Sequence, residues 1–186
     1  MSAHDGLLTM LAERSARLGH FTLASGRQST LYIDARLTTM SPDGLALIGP
    51  LALTALHEAS WNVDAVGGLT LGADPVSYSI AYASALAGTP LRAFTVRKEA
   101  KTHGTGRIIE GPFHVGDRVA IIEDVITTGR SALHAIEVVR AAGGIVCGVL
   151  AVVDREEGGR EALQDAGVSV LTLARAFDIV SRMTST

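Results

Sequence analysis

Glu123 and Asp124 stand against the end of an unbroken apolar run, Val119 to Ile122, and are followed by Thr127, Thr128, Gly129, Arg130 and Ser131. Carboxylates accept hydrogen bonds from sugar hydroxyls or help to hold a metal ion. A small, hydroxyl-rich turn that opens a helix points N–H groups at an anion, and the positive end of the helix dipole adds to their pull. A ligand carrying both a phosphate and a ribose would use both halves of such a stretch. The plainer account is a strand-to-helix crossover with solvated acids and a Thr/Ser helix cap. An acid pair set directly against a buried strand end loses hydration unless something compensates, and this favours a site.

Three further stretches could join it. The chain has sixteen Lys and Arg residues, of which only Lys98 and Lys101 are lysine, and both lie in the segment Arg97-Lys98-Glu99-Ala100-Lys101-Thr102-His103-Gly104-Thr105-Gly106-Arg107. An ammonium is a compact, mobile point charge for phosphate, so this placement suits a cationic lid that closes over a polyphosphate, although a long connection of this kind is also consistent with a solvated charge run. Gly67-Gly68-Leu69-Thr70-Leu71-Gly72 is a glycine-rich stretch expected to follow a strand at 65–67 and to form a pyrophosphate loop or a tight turn. It is no P-loop, because Ala73-Asp74 stand where Lys-Ser/Thr is needed. Asp154-Arg155 closes another apolar run, where the guanidinium either grips a carboxylate bidentately or pairs with Glu156 or Glu157. The histidines at 4, 20, 57, 114 and 134 show no spacing suited to a metal site or a triad.

These residues need a scaffold that gathers strand ends. Short Val/Ile/Leu runs alternate with helical patterns from residue 63 onward. Strands are expected near 65–67, 91–96, 119–122, 145–153 and 168–173, and helices near 74–86, 131–142, 160–166 and 175–182. Upstream, 7–18 reads as an amphipathic helix stopped by Gly19, and 21–34 as a hairpin turning at Ser25-Gly26-Arg27. Ser41-Pro42-Asp43 then reads as a helix start. The class is α/β: a doubly wound, mainly parallel sheet flanked by helices, in one domain, with a small N-terminal hood over about 1–40 and the α/β core over about 41–186. Ligands of such sheets collect beyond the carboxyl ends of the strands.

Composition narrows the class of function. At 47% apolar and 19% charged the chain reads as a soluble globular protein, and a formal charge of −3 gives no general hold on nucleic acid. No uncharged apolar run approaches the roughly 20 residues of a membrane span, so no membrane partner and a cytoplasmic location are expected. The single cysteine, Cys147, forms no intrachain disulfide and reads as a small core residue.

The thirteen residues VAIIEDVITTGRS closely resemble the phosphoribosyl pyrophosphate (PRPP) signature of type I phosphoribosyltransferases. FTLASGRQSTLYID is similar to the N-terminal hood of the orotate phosphoribosyltransferases, and RKEAKTHG to their mobile catalytic loop, so the resemblance spans nearly the whole chain. It implies transfer of a 5-phosphoribosyl group from PRPP to orotate, giving orotidine 5′-monophosphate and pyrophosphate in pyrimidine synthesis. It further implies Mg²⁺ as cofactor and a homodimer in which one subunit's lid covers the other's site. The implied PRPP-binding residues are Arg97, Lys98, Lys101, His103, Glu123, Asp124, Val125, Ile126, Thr127, Thr128, Gly129, Arg130 and Ser131, with Lys101, His103 and Asp124 catalytic. Orotate is expected against Thr127, Arg155 and the backbone of Tyr32-Ile33. No protein side chain is expected to bind the metal directly; it would come with PRPP and water, near Glu123 and Asp124. Ala24 and Leu71 occupy positions where many relatives carry lysine, which shifts pyrophosphate charge onto the lid and the metal. The rivals are a phosphoribosyltransferase for another base and a non-catalytic PRPP-sensing regulator. The guanidinium at 155 argues against the first, and the absence of a basic face beyond the lid against the second.

Overall fold

A computed structural model describes residues 2–22, 28–99 and 107–183 of the chain. The chain opens with α1 (Ala3–Met10), a π-helical turn (Leu11–Ser15), and the antiparallel hairpin β1 (Ala16–Thr22) and β2 (Gln28–Ile33). After α2 (Arg36–Thr39) and α3 (Pro42–Glu58), strands and helices alternate: β3 (Ala65–Leu69), α4 (Ala73–Leu86), β4 (Arg92–Val96), β5 (Ile109–Glu110), β6 (Arg118–Ile126), α5 (Arg130–Ala141), β7 (Ile145–Asp154), α6 (Gly159–Asp165), β8 (Val170–Arg175) and α7 (Ala176–Met183).

Strands β3 to β8 form one sheet in the order β5-β4-β3-β6-β7-β8, parallel except for the short edge strand β5. Both faces are covered, which is why its central strands are continuous apolar runs rather than alternating ones. Ala120 and Ile122 face a core with Leu7, Ile48, Val76 and Ile80. Val119 and Ile121 face the other, with Ala132, Ile136, Val139 and Leu163. From β3 the chain winds outward to β4, then returns to β6 on the opposite side of β3. The crevice beyond the carboxyl ends of β3 and β6 is therefore the switch point of the sheet.

The doubly wound class and the order of the expected elements follow the sequence; α2 and the edge strand β5 were not expected, and several boundaries differ. The helix expected over 7–18 stops at Met10, runs on as the π turn to Ser15, and gives way to β1 at Ala16. Sheet pairing wins here: the backbone of β1 finds partners along β2, from Ala16 opposite Ile33 to Thr22 opposite Gln28. Just before it, the buried Ser15 hydroxyl is tied to Thr38 Oγ1 at 2.8 Å. Leu18 consequently lies on an exposed hairpin and not in the core. The start of α3 is as read, with the Ser41 hydroxyl accepting from the Gly44 N–H at 3.1 Å. The turn residues 23–27, including Ala24, Ser25, Gly26 and Arg27, lie outside the described residues.

Candidate active site

The strand carrying the acids is longer than its apolar run. β6 continues through Glu123 and Asp124 to Ile126, because Glu123, Val125 and Ile126 stay in register with Ala151, Val153 and Asp154 of β7. The acids thus lie within the strand, not after it, and successive strand residues point to opposite faces. Glu123 is directed toward α5, where it lines a cavity of about 30 Å³ with Val125 to Ala132. Asp124 faces the start of α4: a Cβ built on Gly72 would sit 2.4 Å from Asp124 Oδ1. The two carboxylates straddle the end of β6 instead of sharing one side.

Their surroundings differ accordingly. Glu123 is buried, and its Oε1 has no hydrogen-bond partner. Burial, and after it the Asp124 charge, pushes the Glu123 carboxyl up to about 8. Burial also raises Asp124, but less freely, because the Val125 N–H donates to its Oδ1 at 2.9 Å and the Arg36 guanidinium attracts it. A buried acceptor without a donor costs about 1–3 kcal/mol, so Glu123 is arranged for a donor that arrives from outside.

Beside Glu123 the backbone forms an anion nest. Gly129 caps α5 at φ +77°, a left-handed conformation that glycine adopts without strain, and no side chain caps the helix. The N–H groups of its first turn are therefore available to a ligand. The nest is held from behind by Gly159 at the start of α6: a Cβ there would stand 2.5 Å from Thr127 O and 2.8 Å from Gly129 N. Thr128, Arg130 and Ser131 are exposed around the rim, while Thr127 is half-buried.

The glycine-rich stretch is divided between two roles. Gly67, expected at the strand end, and Gly68, expected in the loop, both belong to β3, and Cβ atoms on them would meet Phe94 O at 2.3 Å and Ile122 O at 2.1 Å. These two glycines let the neighbouring strands close up; only Gly72 reaches the site. Its loop is anchored by Asp74, which accepts from Thr70 Oγ1 at 2.7 Å and from Thr95 Oγ1 at 2.8 Å.

Arg155 follows β7 and is buried against the hairpin, its Nη2 donating to Leu31 O at 2.8 Å, Ser29 Oγ at 3.3 Å and Glu157 Oε1 at 2.7 Å. Of the two acids open to it in the sequence, Glu157 is its partner; Glu156 instead accepts from the Phe177 N–H. Arg155 therefore brings β2 onto the sheet edge. Tyr32 is partly exposed there, its ring 5.5 Å from that of Phe21, while Ile33 is buried and paired with Ala16 across the hairpin. Arg97 and Lys98 follow β4 on the same edge, Arg97 being 3.8 Å from Glu110. Lys101 and His103 lie outside the described residues. Sequence reasoning left the choice between Glu156 and Glu157 open and missed Gly159; the Gly158-Gly159 pair just after the acids was the readable signal.

No family model matches the chain. Curated relatives do. The orotate phosphoribosyltransferase of Aquifex aeolicus (strain VF5) is 43% identical over 183 residues, covering 97% of this chain and 99% of that protein. The chain belongs to the orotate phosphoribosyltransferase family. Solved orotate phosphoribosyltransferases share its fold. That of Mycobacterium tuberculosis H37Rv in complex with Fe(III) dicitrate superposes with a TM-score of 0.85 at 42% identity, covering 96% of this chain and 99% of the other. A structure of the M. tuberculosis orotate phosphoribosyltransferase in complex with PRPP gives 0.82 at 38%, covering 96% and 99%.

Proposed function

We infer that the chain transfers the 5-phosphoribosyl group of PRPP to orotate, releasing pyrophosphate and forming orotidine 5′-monophosphate. The observation that carries this reading is the pairing, at one strand end, of a buried carboxyl group whose Oε1 lacks a partner with a glycine-opened helix N-terminus that no side chain caps. A sugar phosphate supplies what each half lacks. The 5′-phosphate fits the nest of Thr127 to Ser131, and the ribose hydroxyls donate to Glu123 on one side of the strand and Asp124 on the other. The pyrophosphate then lies toward Gly72 and the lid, where Arg97, Lys98, Lys101 and His103 meet it. Orotate binds between the hairpin and β7, with its carboxylate on Arg155 and its ring along Thr127 and the Tyr32-Ile33 backbone.

The chemistry needs no protein nucleophile. The bond from the anomeric carbon to pyrophosphate breaks as a ring nitrogen of orotate bonds to that carbon, and positive charge grows on the ribose in between. Asp124 and Glu123 hold the sugar in place, and the lid cations stabilise the departing charge. His103 donates a proton to the leaving pyrophosphate. Among the described residues no cluster of three or more His, Cys, Asp or Glu side chains could form a metal cage. That fits Mg²⁺ carried in on a polyphosphate near Glu123 and Asp124, since that ion keeps several waters and is held largely by substrate phosphates. Bound there, Mg²⁺ would supply positive charge against the diphosphate.

The reading includes a homodimer whose lids are exchanged between subunits. It is supported by Tyr78 and Tyr82, exposed along α4, which with Met40 and Leu71 border an apolar groove of about 720 Å³ against α3, and by Leu86, exposed further along the same helix. A cytoplasmic location goes with it, because a multiply phosphorylated substrate does not cross membranes unaided. Purified protein incubated with PRPP, Mg²⁺ and orotate should consume orotate absorbance, and adenine, hypoxanthine and uracil should be poor substitutes. Turnover of a purine without turnover of orotate would overturn the assignment.

A further inference from the structure

Arg155 is committed unevenly. Three acceptors, Leu31 O, Ser29 Oγ and Glu157 Oε1, converge on its Nη2, while its Nε is buried with no partner. A carboxylate that grips a guanidinium side-on places one oxygen on Nε and the other on the neighbouring Nη. Glu157 takes Nη2 with one oxygen at 2.7 Å and leaves Nε unmet, so it fills half of that fork. It also lines a cleft of about 410 Å³ with His20, Gln28, Ser29 and Thr30, which gives the side chain room to withdraw.

We propose that Glu157 is a specificity-tuning residue, an internal carboxylate that competes with the substrate carboxylate for Arg155. This rests on the reading that Arg155 receives orotate. An incoming ring carboxylate takes the vacant Nε and then either displaces Glu157 from Nη2 or lies beside its charge; both oppose binding. The nucleotide product keeps the same carboxylate, so the competition also loosens product, and Glu157 trades ground-state affinity for release.

The test compares Glu157→Gln with Arg155→Lys. The amide of Glu157→Gln still accepts from Nη2, so the hairpin contact is kept while the charge is lost. Its KM for orotate should fall roughly five-fold, the difference between a charge-assisted and a neutral hydrogen bond, while that for PRPP stays unchanged. Inhibition by orotidine 5′-monophosphate should tighten by a similar factor, and inhibition by uridine 5′-monophosphate, which has no carboxylate, should not move. A KM for orotate that rises or stays put, or both nucleotides shifting together, overturns the proposal. Arg155→Lys separates the two levels. If it abolishes discrimination between the two nucleotides while Glu157→Gln changes nothing, only the competitor role falls. If discrimination survives it, Arg155 does not receive the carboxylate, and both readings fall.

Discussion

Replacing Glu123 with glutamine should make the protein more stable at neutral pH and less able to hold PRPP. In the folded chain burial holds this carboxyl protonated up to about pH 8, whereas in the unfolded chain it ionises near its ordinary value of 4.5. Between those values the folded state binds more protons, so stability falls as pH rises through the window. A carboxyl with a raised pKa thus stabilises nothing at high pH; its ionisation is a cost that is absent below about 4.5 and complete above about 8. At about 1.4 kcal/mol per pH unit, the cost reaches roughly 3 kcal/mol by pH 7. Glutamine does not titrate and carries no such cost. Melting curves from pH 5 to 9 should therefore diverge in favour of Glu123→Gln, by about 6–12 °C near neutrality for a chain of this size. A second readout uses the ligand. Ribose hydroxyls donating to the carboxylate favour its charged form, so PRPP binding near pH 7 should release close to one proton in the parent protein and none through this position in the variant. Calorimetry in two buffers of different ionisation enthalpy measures that number. Parallel melting curves together with equal proton release would refute the reasoning, since they would mean that Glu123 is hydrated and ionised in the folded state.

Lys101→Ala should lower kcat by on the order of 10²–10³, the usual cost of removing one preorganised partner of a developing charge. A change confined to KM in steady-state assays would mark Lys101 as a uniform binding residue. Gly159→Ala places a methyl group 2.5 Å from Thr127 O and should displace the phosphate turn, raising the KM for PRPP about ten-fold or more and costing about 1–3 kcal/mol in denaturant titrations. Wild-type values for both would show that the turn does not depend on α6. Tyr82→Asp, on the exposed apolar stripe of α4, should split a dimer into monomers in sedimentation experiments and lower activity with it; an unchanged mass would place the interface elsewhere.

Much of this molecule is legible in its sequence. Alternating apolar runs and helical patterns gave the wound sheet because a strand covered on both faces must be apolar throughout, and that constraint is local. The turn from Thr127 to Ser131 was equally local: one glycine at positive φ and a helix start make an anion nest wherever they occur. Tertiary structure decided where the elements end. The run Val119 to Ile122 said nothing of β6 extending to Ile126, because β7 extends it by pairing. The same pairing sends Glu123 and Asp124 to opposite faces and buries one with no donor. Gly67 and Gly68 carried a phosphate-loop appearance, yet strand packing against Phe94 and Ile122 claims them. The choice of Glu157 over Glu156 by Arg155, and the Gly159 contact behind the nest, join residues whose distances depend on how β7 and α6 pack. Sequence determines which groups exist and what each stretch of backbone prefers. Burial, partner choice and the side of a strand on which a charge emerges are set only when distant segments compete for the same space.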